Sequence, residues 1–163
     1  MKISDTIMNQ LFRWKALPIQ TLGNSINASS YSSLMSSIYG LKRNGDIHLR
    51  FMKSIQRHKI IYPTKTAIRF SELEDTLKVE ESLLEHDALV SSFCLALERN
   101  IPVIKEALIE DFLIGEKIFR NQGRVYPDAL ISLNTQKGSF KFPIELERVQ
   151  KSQSRIKEKF YEY

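Results

Sequence analysis

The residues best suited to chemistry lie in the last third of the chain. Asp128 follows Pro127 at the head of the apolar run VYPDALISL, and Glu145 and Glu147 sit in SFKFPIELERV. The segment Asn134-Thr135-Gln136-Lys137-Gly138 between the two runs has the composition of a hairpin turn. Strand side chains alternate with period two, so Phe140, Phe142, Ile144 and Leu146 share one face. Lys141, Pro143, Glu145 and Glu147 share the other. If the pairing sets Asp128 beside the glutamates, three carboxylates offer hard oxygen ligands for Mg²⁺ or Mn²⁺. Such a cation polarises a phosphate oxygen and lowers the pKa of a bound nucleophile. QKSQSRIKEKFYEY then reads as a helix carrying Lys151 and Arg155 one turn apart, placed to contact a phosphate. The same residues also fit a solvent-facing strand with salt bridges from the following helix.

The elements that must position these groups belong to a chain of 163 residues, 42% hydrophobic and 26% charged, a soluble globular composition. No apolar run approaches the ~20 residues needed to span a bilayer, which excludes a membrane protein. The start, MKISDTIMNQLFRW, lacks the apolar core and cleavage site of a signal peptide. The single cysteine, Cys94, cannot form an internal disulfide and reads as a small core residue of a cytoplasmic protein. Charge is distributed unevenly. Residues 1–69 hold eleven Lys or Arg against Asp5 and Asp46, whereas residues 70–98 hold one Lys against eight acids. A basic first part is the electrostatic footprint of a nucleic-acid binder.

That basic part carries three short helical patterns. Ser4 or Asp5 caps the first, with Ile7, Met8, Leu11, Phe12 and Trp14 on one face. Pro18 opens the second, with Ile19, Leu22 and Ile26 inward; Gly23 weakens it. Asn27 or Ser29 caps the third, whose Tyr31, Leu34, Met35, Ile38 and Leu41 recur at helical spacing until Asn44-Gly45. Three helices and a β-prone segment predict an N-terminal winged helix-turn-helix over residues 1–70. Its third helix presents Ser30 and Ser33, and ends on Lys42 and Arg43, as DNA contacts. KIIYPTKTAIRF reads as the wing, turning at Pro63-Thr64, with Lys59, Lys65 and Arg69 towards phosphate. A small helical bundle that packs on a neighbour is the plainer alternative.

From residue 71 the acidic connector leads into leucine-rich helix, with a possible break at Glu85-His86-Asp87 and an end at Asn100-Ile101-Pro102. A second domain is expected over 71–163. Pro127-Asp128, sixteen intervening residues and Glu145-Leu146-Glu147 resemble the PD-(D/E)xK nuclease fold, a small antiparallel sheet flanked by helices. The chain departs from that pattern in lacking the lysine after the acid pair, which Lys151 replaces if it has migrated. HDALVSSFCLALE, IEDF, PDALISL and IELERVQKSQSRIKEKFYEY resemble the replication-relaxation family and MobC-type plasmid mobilisation relaxases. That resemblance implies an α+β protein in which a winged helix is joined to a nuclease-like domain. It implies Glu110, Asp128, Glu145 and Glu147 as ligands of Mg²⁺ or Mn²⁺, Lys151 stabilising charge and Arg155 on DNA. His86 corresponds at a helix start, and Tyr161 is an available nucleophile. The implied function is DNA nicking or replication initiation on double-stranded DNA, within a DNA-processing complex. A chain ending at Tyr163 stops before the closing strand of such a domain. The alternatives are a non-catalytic DNA-binding regulator on the same fold and an adaptor whose acidic segment docks a basic partner.

Overall fold

The computed structural model describes residues 2–52, 58–73, 77–100, 107–114, 127–135 and 137–146, the stretch 107–114 through its backbone. It is a mixed α+β protein with five helices and two three-stranded antiparallel sheets among those residues. The chain divides into two compact units, Met1–Ser92 and Phe93–Tyr163. This division falls later than the composition change at residues 70 and 71, because the connector and the start of the long helix pack with the first unit.

The first unit runs α1 (Ile3–Trp14), β1 (Leu17–Pro18), α2 (Ile19–Ser25), α3 (Tyr31–Asn44), β2 (Ile47–Phe51), β3 (Lys59–Pro63) and α4 (Lys65–Phe70). Its sheet has the order β1-β3-β2, so the last strand is central. Leu17 opposes Ile61 on one side of β3, and Leu49 opposes Ile61 on the other. A central strand covered on both faces must be apolar throughout. KIIYP meets that demand, and Ile60, Ile61 and Tyr62 are all buried. Ile7, Leu11 and Trp14 of α1 are fully buried, as are Leu22 of α2 and Ile38 of α3. On the other side of the sheet, Met52, Ile60 and Tyr62 pack with Leu84 and Ala88.

Gly23 is explained by that packing. A Cβ at this position would lie 2.7 Å from Leu34 Cδ2, so the absence of a side chain lets α2 approach α3 closely. Gly45, at φ 80°, closes α3, and the Asp46 N–H returns to the Leu41 carbonyl. Thr64 holds the next corner. Its hydroxyl donates to the Gly45 carbonyl at 2.8 Å and accepts from the Ala67 N–H at 3.1 Å, capping α4.

Thr64 is therefore a helix cap, which corrects the wing turn expected at Pro63-Thr64. The hairpin instead pairs β2 with β3 from Ile47↔Pro63 to Phe51↔Lys59, which puts Pro63-Thr64 at its far end; residues 53–57 lie outside the described residues. Lys65 and Arg69 accordingly belong to α4 and not to the hairpin. The break expected at Glu85-His86-Asp87 falls at the start of a helix, since residues 77–83 before it form no α-helix. One helix, α5, runs Leu84–Asn100, with Glu85 and Asp87 in its first turn, where carboxylates favour the helix dipole. Ser91 Oγ lies 2.7 Å from the Trp14 and Asp87 carbonyls, tying α5 to the end of α1.

The second unit contains β4 (Ala107–Ile114), β5 (Ala129–Thr135) and β6 (Gly138–Ile144) in the order β4-β5-β6. The β5–β6 hairpin closes at Thr135↔Gly138, as the turn composition predicts. Ala129, Leu130 and Ile131 are buried, and so are Cys94 and Leu95 of α5. Phe93 of α5, by contrast, is 47% exposed. Phe140 and Phe142 likewise stay half exposed, their ring centroids 6.4 Å apart on the outer strand β6. The helix expected over 150–163 lies outside the described residues.

Candidate nucleic-acid interface and carboxylate cluster

In the first unit α3 presents the principal polar surface. At 100° per residue, Ser32, Ser36, Tyr39 and Arg43 fall within a stripe about 60° wide. All four are exposed, while Leu34, Ile38 and Leu41 are buried on the opposite side. This helix therefore covers the core with one face and offers hydroxyls, a phenol and a guanidinium on the other. Arg43 lies in the stripe; Lys42 and Ser33 flank it on either side. Ser30 has a different task, since its Oγ accepts the Ser33 N–H at 3.1 Å as the N-cap of α3. Tyr31 is 69% exposed rather than inward, although it lies only about 20° from Ile38 around the helix; it sits at the first position of α3.

Beside α3, the β2–β3 hairpin carries Lys59, whose Nζ stands 5.1 Å from the centroid of the exposed Phe51 ring. Lys65 is exposed at the start of α4. On the sheet, Arg50 Nη1 donates to the Glu81 carbonyl at 3.1 Å, and Glu81 Oε2 is 4.0 Å away. Part of the acidic connector thus packs back on the basic unit. Burial, with Glu81 adding and Arg50 opposing, raises the Tyr62 phenol above its ordinary value.

In the second unit, Asp128 and Glu145 come together. Ala129 opposes Ile144, and continuing this register sets Asp128 opposite Glu145. Asp128 Oδ2 accepts the Leu146 N–H at 2.6 Å, so this carboxylate fastens the end of β6 to the beginning of β5. Glu110 is placed elsewhere. It lies within β4, not before it, at an irregularity between the pairs Ile109↔Leu133 and Asp111↔Ser132. Four residue steps along β5 separate that point from Asp128, about 13 Å at the usual strand rise. Of the set expected to converge, Asp128 and Glu145 are brought together, while Glu147, Lys151, Arg155 and Tyr161 lie outside the described residues. Among the described residues no three His, Cys, Asp or Glu side chains gather as metal ligands. His86 Nδ1 is 3.6 Å from Asp87 Oδ1, an ion pair only when the imidazole is protonated.

The surface residues that sequence reasoning missed are Tyr31 and Tyr39. Tyrosine counts equally as core or surface in a hydrophobic pattern; its angle places Tyr39 on the exposed stripe, whereas Tyr31 is exposed at the first position of the helix on the side of Ile38. Among the described residues no helix is long and apolar enough to cross a membrane. Comparison with protein-family models, curated proteins and solved structures yields no match.

Proposed function

We propose that the first unit is a winged helix-turn-helix that binds double-stranded DNA, in a cytoplasmic protein of plasmid or mobile-element DNA processing. The observation that carries the reading is the element order α1-β1-α2-α3-β2-β3 with its β1-β3-β2 sheet. In that arrangement the third helix is the one that enters the major groove, with the hairpin beside it. The exposed stripe from Ser32 to Arg43 supplies groups for phosphates and base edges, and the basic charge of residues 1–69 supports attraction to the duplex.

Titration of the full chain with a fluorescent duplex at several salt concentrations tests this. Log K should fall linearly with log salt, by about 0.9 for each phosphate neutralised. Replacing Lys42 and Arg43 together by alanine should lower that slope by about 2 and weaken binding to unrelated sequences alike. Affinity independent of salt would overturn the reading.

The second unit supports metal-dependent nicking of the replication-relaxation or MobC type through the juxtaposition of Asp128 and Glu145 at one end of the β5–β6 hairpin. In this proposal Asp128, Glu145 and Glu147 hold Mg²⁺ or Mn²⁺, and Lys151 stabilises the developing charge. Nicking of supercoiled plasmid that requires Mg²⁺ or Mn²⁺, stops with chelator and disappears in Asp128→Asn is the expected result. The Asp128–Leu146 bond favours a second reading, in which the carboxylates are structural and the protein is a non-catalytic DNA-binding regulator. Undiminished DNA binding without any nicking would select it.

A further inference from the structure

A cleft of about 500 Å³ opens between α2, the start of α3 and the start of β3. Its size lies within the range of about 300–1,000 Å³ typical of small-ligand sites. Its lining is chemically mixed. Ala28 and the bare backbone of Gly23 give it an apolar part above the buried Leu34, which any side chain at Gly23 would crowd. Gln20 and Asn24, one helical turn apart on α2, contribute two primary amides, each with a donor and an acceptor. Tyr31 contributes an aromatic ring that is already 69% exposed, and Lys59 contributes a cation.

We infer that this cleft receives one unpaired nucleotide of a DNA strand, an inference that rests on the DNA-binding reading above. The four kinds of group match the four parts of such a ligand. A ring face stacks on a base face, amides read a base edge, an apolar wall accepts the sugar, and an ammonium meets the phosphate. Paired bases present only their edges in the grooves and keep their faces stacked, so a duplex leaves the ring and the apolar wall unused. A base taken out of the stack uses both. Lys59 lines the cleft from the β2–β3 hairpin, its Nζ 5.1 Å from the centroid of the exposed Phe51 ring.

The test compares a 20-base-pair duplex with the same duplex carrying a single extra nucleotide in one strand, each titrated by anisotropy into the full chain. The bulged duplex should bind about tenfold tighter, the gain expected of one stacked base. Tyr31→Ala and Asn24→Ala should each erase most of that difference while leaving affinity for the plain duplex unchanged. Tyr31→Phe, which keeps the ring, should preserve it. Equal affinity for the two duplexes, or a Tyr31→Ala variant that weakens both alike, overturns the inference and leaves duplex binding standing. Binding to neither duplex overturns the DNA-binding reading, and the cleft assignment with it. Thymidine 5′-monophosphate is added as a competitor. Loss of the bulge preference at micromolar concentrations would mark the cleft as a free-nucleotide site and overturn the assignment to a DNA strand; persistence at millimolar concentrations supports it.

Discussion

The two units solve the problem of burying a small sheet in different ways. In the first, β3 is central and covered on both faces, by α1 to α3 on one side and by Leu84 and Ala88 on the other. Its polar residues are spent at corners and caps, as Ser30, Thr64 and Ser91 show. In the second, Ala129, Leu130 and Ile131 of β5 are buried, and β6 keeps two half-exposed phenylalanines. A unit with a closed core leaves one face of α3 exposed without loss of burial. The outer strand β6 instead keeps its aromatic side chains accessible to water.

The largest expected effect is at the centre of the first core. Trp14 is fully buried, its Nε1 donates to Gln10 Oε1 at 3.1 Å, and the Arg13 guanidinium lies 4.6 Å from its ring centroid. Trp14→Ala should lower stability by about 3–5 kcal/mol, measured by urea unfolding. Phe142→Ala on β6 should lose about 1 kcal/mol or less, since much of that ring is already in water. Losses of similar size at the two positions would break the contrast between the units.

A smaller effect separates the two ways of holding a corner. Thr64 is buried and makes two hydrogen bonds, so Thr64→Ala should cost about 1–2 kcal/mol, with Thr64→Ser recovering most of it. Asp128→Ala should cost a similar amount by releasing the Leu146 N–H, whereas Asp128→Asn retains an acceptor and should cost less. Under the metal proposal, Mg²⁺ or Mn²⁺ raises the melting temperature of the wild type but not of Asp128→Asn. A rise equal in both proteins would sink a role for this carboxylate in holding the ion.

These positions also mark where the sequence was legible. The apolar stripes of α1 to α3, the Asn44-Gly45 stop and the turn before Gly138 follow from local rules, because spacing and turn chemistry act within a few residues. Thr64 was misread because a Pro-Thr pair suits a turn and an N-cap equally, and the choice was made by the pairing of β2 with β3, which local sequence does not encode. Glu110 was misread for a related reason. A strand register depends on a partner far along the chain, and the β4–β5 pairing sets Glu110 four residue steps along β5 from Asp128. Phe140 and Phe142 alternate correctly for a buried face, yet alternation specifies only that they share a side, not that anything covers it.

The smallest effect concerns pH and probes how closed the first unit is on its outer sheet face. Tyr62 is 8% exposed, touches the His48 ring at a centroid distance of 5.3 Å, and has its phenol pKa raised chiefly by burial. A raised pKa means that the folded state holds the phenolic proton more tightly than the unfolded chain. The associated stability is therefore fully present below the unfolded value near 10 and is lost as pH rises through the folded value. Wild-type stability should consequently fall more steeply above pH ~10 than that of Tyr62→Phe, which cannot titrate there. Below pH ~9 the two curves should run parallel, separated by no more than the contribution of one hydroxyl, about 1 kcal/mol. Parallel curves across the whole range would show that solvent reaches this phenol in the folded state, and that the connector around Glu81 leaves the sheet uncovered.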